Sequence, residues 1–83
     1  MEKWIETVRP LDDFIIEVSL KNGDVFRYDI KPLISQYPAF EALVENPSLF
    51  EGVHTVGQGS GIVWNDDIDL AAEEIAVNGI KQG

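Results

Sequence analysis

Asn65-x-Asp67-x-Asp69, inside GIVWNDDIDLAAEEI at residues 61–75, is the spacing in this chain with the strongest claim to chemistry. It imitates the start of a calcium loop. Such a loop next needs a glycine for its sharp turn and a bidentate Glu at its twelfth position. Leu70 and Ala76 occupy those places, which excludes an EF-hand. A looser Mg²⁺ or Ca²⁺ contact through Asp66, Asp67 and Asp69 needs only one or two carboxylates. That alternative makes the chain a small metal- or ligand-binding protein using the acidic run 66–74. A plainer reading gives each acid a structural task. Asp66 and Asp67 suit a turn leaving a strand. Glu73 and Glu74 fall in the first turn of a helix, whose positive end each complements by about 0.3–1 kcal/mol. A third reading is an acidic recognition surface made of Trp64, Asp66 and Asp67.

The other reactive types are sparse. His54 is the single histidine. General-base catalysis needs a carboxylate or nucleophile beside it, which no local motif supplies. One histidine without further ligands also makes a poor transition-metal site. A strand position beside Trp64 is the expected place for it. Gly57-x-Gly59-x-Gly61 has the wrong spacing for a dinucleotide fingerprint, and it leads into IVW, a strand rather than a helix. A hairpin loop explains it better. Trp4 and Trp64 suit a core or an interface, since an indole joins apolar area to one donor. Trp64, in an apolar strand, belongs to the core on this reading; Trp4 remains open to either. No catalytic set and no cofactor site emerges.

Charge narrows the classes of partner. Fifteen Asp and Glu oppose six Lys and Arg, a net charge of −9 over 83 residues. The basic residues Lys3, Arg9, Lys21, Arg27, Lys31 and Lys81 are scattered along the chain. No patch could neutralise several phosphates, which disfavours nucleic acid and anionic membranes. A basic protein partner fits instead. Cysteine is absent, which removes disulfides and thiolate sites. MEKWIETVRP has no apolar run of signal-peptide type, and no segment approaches the roughly 18 apolar residues of a span. The expected location is the cytoplasm.

These residues need elements to hold them. Hydrophobic content of 45% supports one small domain over residues 1–83. Phe14, Ile16, Val18 and Leu20 alternate with Ile15, Glu17, Ser19 and Lys21, the period of a half-buried strand. A three-residue loop, Lys21-Asn22-Gly23, pairs Val18 with Phe26, Ile16 with Tyr28 and Phe14 with Ile30. It also sets Glu17 opposite Arg27, an opposite-charge pair. Gly23 then takes the left-handed position. WIETV at 4–8 reads as a further strand and Pro10 to Asp13 as its turn. Lys31-Pro32 ends the pairing. Pro38, Phe40, Leu43 and Val44 read as a helix that Asn46-Pro47 stops, before a short turn carrying Leu49 and Phe50. Residues 53–57 and 61–65 read as a second hairpin, with Val56 opposite Ile62 and His54 opposite Trp64. A last helix runs from Ala72 to Val77, and Asn78-Gly79 ends it. The sum is an α+β domain: a largely antiparallel sheet of about five strands, two hairpins plus an N-terminal strand, with two short helices on one face.

PLDDF, a glycine turn, a strand ending in Asp29-Ile30, then Phe40-x-x-Leu43, Phe50 and IVWNDDIDLA follow one another in an order that resembles the small bacterial domains called domain of unknown function 2442. The resemblance spans about residues 5–77. It implies a small α+β sheet domain without established catalytic residues. It also implies partnership with neighbouring small toxin-like proteins in some members and fusion to a helix-turn-helix domain in others. The chain departs from the pattern at Ala72, where members often carry proline.

The expected function is a non-catalytic interaction module, not an enzyme. Its partner would be a basic protein, in the form the resemblance suggests a small toxin-like neighbour. An exposed sheet edge at 4–8 could receive a partner strand. A homodimer through sheet edges is the blander alternative.

Overall fold

The computed structural model describes residues 4–83; Lys3, one of the scattered basic residues, lies outside them. Antiparallel strands and short helices form an α+β domain. Strands β1 (Ile5–Pro10), β2 (Ile15–Leu20) and β3 (Val25–Asp29) form a meander. Helices α1 (Lys31–Gln36), α2 (Glu41–Glu45) and α3 (Pro47–Glu51) follow. Then come β4 (His54–Val56), β5 (Gly61–Asn65) and β6 (Ile68–Ala71), helix α4 (Ala72–Asn78) and β7 (Ile80–Gln82). The strands divide into a four-stranded sheet, β1-β2-β3-β7, and a three-stranded sheet, β4-β5-β6. The expected single sheet of about five strands is therefore two sheets, and the expected two helices are four.

The β2–β3 register is the one the alternation predicts. Val18 faces Phe26, Ile16 faces Tyr28 and Glu17 faces Arg27. Gly23 has φ 99°, and its N–H donates to Leu20 O at 3.0 Å. Val18 and Ile16 are fully buried, because a period of two sends every second side chain inward. Phe14 departs from the predicted pairing. It has φ 57° and lies in a tight turn after Asp13, so it never enters the strand. Its carbonyl still accepts the Ile30 N–H at 2.9 Å.

The second hairpin is shifted by one residue from expectation. His54 pairs with Val63, Thr55 with Ile62 and Val56 with Gly61. A slip of one residue exchanges the faces, so Val56 and His54 are exposed. The cause lies in the loop: Gly57, Gln58 and Gly59 all have positive φ, and Ser60 N–H closes onto Val56 O at 3.1 Å. The loop therefore takes four residues, where the reading from alternation allowed three. Its tip packs on β1, and a Cβ on Gly59 would lie 2.3 Å from Ile5 O and 2.7 Å from Ile5 N. Strand β1 is an edge of its sheet, as expected for 4–8, and the chain's own turn covers that edge at Ile5.

One apolar cluster joins both sheets and all the helices. Through it runs a row of aromatic rings. Phe14 meets Phe50 edge-on at 5.2 Å, Phe50 stacks on Trp64 at 6.4 Å, and Trp64 meets Phe40 edge-on at 6.0 Å. Tyr37 follows at 6.1 Å from Phe40 and ends the row at the surface. Among the described residues no helix is long and apolar enough to cross a membrane.

Candidate functional site

The surface expected from Trp64, Asp66 and Asp67 is divided by the fold. Trp64 is 5% exposed, and its indole N–H donates to Phe50 O at 3.2 Å. A bulge between Val63 and Asn65 holds it there. Asp66 and Asp67 lie outside, as the two-residue turn between β5 and β6. Asn65 Oδ1 accepts the Asp67 N–H at 2.8 Å, the self-bonded turn to which Asn is suited. His54 is exposed, with Nδ1 3.1 Å from Gly52 O, and it does not lie beside Trp64. Among the described residues no three His, Asp or Glu side chains gather in a way that could hold a metal ion.

A different site assembles around Glu74. Helix α4 returns the chain from β6 to β7 and packs its buried Ala72 and Ile75 inward. Glu74, one position before Ile75, reaches across to β3. Its Oε2 accepts the Tyr28 hydroxyl at 2.8 Å and the Asn78 side-chain amide at 2.8 Å. Tyr28 is 6% exposed. Burial, with the Glu74 carboxylate beside it, pushes the phenol up to about 12. Glu74 Oε1 has no hydrogen-bond donor among the described side chains, so the carboxylate is held by one oxygen and offers the other.

Two surface depressions meet at this carboxylate. The first, of about 370 Å³, is walled by Leu33, Gln36, Tyr37 and Phe40 on one side and by Asp69, Leu70 and Glu74 on the other. The second, of about 310 Å³, lies between β3, α1 and α4, from Arg27, Tyr28 and Asp29 to Asn78 and Ile80. Leu33, Gln36 and Glu74 line both. Two exposed large apolar residues, Tyr37 at 52% and Ile80 at 72%, line the first and the second depression respectively. Exposed apolar surface gathered in a concavity marks a contact site more often than isolated exposed residues do.

Charge is segregated around the groove. Arg9 and Arg27 both pair with Glu17, at 2.7 and 3.2 Å. The Arg9 hydrogen bond, helped by that of Arg27 and opposed by burial, holds Glu17 below the usual carboxylate range. Lys31 pairs with Asp13 and Asp29 at 3.0 Å each, and Lys81 with Asp24 at 3.4 Å. Lys21 donates to Gln58 O at 3.3 Å. The described cations are thus engaged, chiefly on the four-stranded sheet. Between residues 32 and 80 the sequence holds no Lys or Arg, yet every acid from Glu41 to Glu74 falls there. That contrast is visible in the sequence; reading the basic residues as scattered passes over it. The Tyr28–Glu74 contact is not visible, because 46 residues separate the partners.

No curated protein and no solved structure matches the chain. One family model does match, described as Protein of unknown function (DUF2442), over residues 5–81. With the match covering nearly all of a chain whose strands and helices form one core, the chain belongs to that family.

Proposed function

We propose that this protein is a non-catalytic interaction module that binds a basic protein partner in the cytoplasm, in the manner of an antitoxin-like partner of a small basic protein. The single observation carrying this reading is the acidic groove around Glu74, walled by apolar side chains and free of lysine; its one arginine, Arg27, is committed to Glu17. Complementary charge speeds encounter and rejects wrong partners, while apolar area within a groove supplies affinity.

Co-expression with the product of the adjacent reading frame tests this. A complex is expected to co-elute at low ionic strength and to weaken as salt rises, because screening shortens the Debye length from about 10 Å at 0.1 M to about 3 Å at 1 M. Failure to co-elute at any ionic strength would overturn the reading.

A further inference from the structure

We infer that the first depression, between α1 and β6, is a pocket for a single arginine side chain of the partner. This rests on the interaction reading above and names the chemistry of its anchor. An arginine has two parts with opposite needs: an aliphatic stem that prefers apolar surface and a charged planar head. The pocket offers both in order. Leu33, Phe40 and Leu70 provide the apolar wall, and Asp69 and Glu74 provide the carboxylates. Tyr37, 52% exposed, supplies an aromatic face at the rim on which a guanidinium can stack.

Glu74 is preset for this task. Tyr28 and Asn78 both hold Oε2, which fixes the carboxylate and leaves Oε1 for a donor from outside. A group already ordered loses little freedom on binding. No lysine or arginine of this chain lines the first depression, which holds Asp69 and Glu74, whereas the second sets Arg27, even though paired with Glu17, beside Asp29 and Glu74 and is the less negative of the two. The charge pattern therefore selects one of the two depressions. Arginine is favoured over lysine because its several donors can meet two carboxylates at once while its plane stacks on a ring.

The test uses the full chain labelled with ¹⁵N and titrated with Nα-acetyl-arginine amide, with the neutral isostere Nα-acetyl-citrulline amide as the comparison. The arginine probe is expected to shift amides of residues 33–40 and 69–74 with a dissociation constant on the order of millimolar, and citrulline to shift them at least tenfold less. Asp69→Asn and Tyr37→Ala, both at exposed positions, are each expected to weaken the arginine response severalfold without loss of dispersion in the spectrum. Equal response to citrulline, shifts spread over Glu41, Glu45 and Asp66, or an unchanged response in both variants would overturn the pocket. The two readings fail separately. A salt-sensitive protein complex that forms equally well with Asp69→Asn and Tyr37→Ala removes the pocket and keeps the interaction module.

Discussion

The Tyr28 hydroxyl donates a 2.8 Å hydrogen bond to Glu74 Oε2 and so ties β3 to α4 across 46 residues of sequence. The phenol's pKa is about 12 in the fold against 10.0 when unperturbed. Between those values the folded protein keeps a proton that the unfolded chain releases. Stability from this group is complete below pH 10 and falls as pH rises toward 12, by a few kcal/mol at most. Tyr28→Phe should lose roughly 1.5–3 kcal/mol near neutrality, the worth of a hydrogen bond to a charged acceptor. It should also lose less on going from pH 8 to pH 11 than the parent does. Urea unfolding at both pH values checks this. Parallel losses in the two proteins would show that burial and the Glu74 contact do not raise the Tyr28 phenol.

Gly59 sits with φ +100° where a Cβ would lie 2.3 Å from Ile5 O. The obstacle is backbone, which cannot swing aside as a side chain can. Gly59→Ala should therefore cost more than about 3 kcal/mol, a large part of the several kcal/mol that hold a domain of this size. Gly23 supplies the control. It has φ +99° but open space around it, so Gly23→Ala carries only the left-handed penalty of about 1 kcal/mol. Similar midpoints for the two variants in a thermal melt would contradict the close approach at Ile5.

The difference between Gly23 and Gly59 also explains which parts of the fold are legible in the sequence. The β2–β3 register follows from local alternation and one turn, and both are written in residues 14–30. The β4–β5 register depends on a loop whose Gly59 meets Ile5, a contact between parts of the chain far apart in sequence that no local pattern records. Strand β6 is hidden for another reason. Ile68, Asp69, Leu70 and Ala71 do alternate, but the acids around them also fit a turn and a helix start, and four residues are too few to decide. Strand β7 escapes notice because Ile80 to Gln82 is brief and mostly polar. The site is legible only in part. The excess of acids was readable, and Asp66 and Asp67 do form a turn. The pairing of Glu74 with Tyr28 had no signature, and Trp64 is drawn inward by Phe40 and Phe50.

Trp64 lies between those two rings and donates its indole N–H to Phe50 O. Trp64→Phe keeps an aromatic ring but leaves that carbonyl without its donor and opens a small cavity. The combined loss should be about 2–4 kcal/mol. Denaturant unfolding measures it. A cost under about 1 kcal/mol would mean the neighbouring rings collapse into the space and another donor reaches Phe50 O.

Lys31 fastens the most strained turn of the backbone. Asp13 has φ 62° and Phe14 φ 57°, two successive non-glycine residues in the left-handed region. Each costs about 1–2 kcal/mol. Lys31 Nζ donates to Asp13 O at 2.7 Å and to Asp13 Oδ2 at 3.0 Å, while the Phe14 ring lies edge-on to Phe50. The ion pair is exposed, so it adds little to global stability. Its local effect should be larger, because it holds a conformation the residues resist. Lys31→Met should leave the unfolding midpoint almost unchanged and speed exchange of the Leu11 amide, which donates to Ile15 O across the turn. Adding Asp13→Gly to that variant should restore slow exchange, since glycine enters the left-handed region without penalty. Exchange at Leu11 unaltered by Lys31→Met would show that the Phe14–Phe50 contact alone suffices to hold the turn.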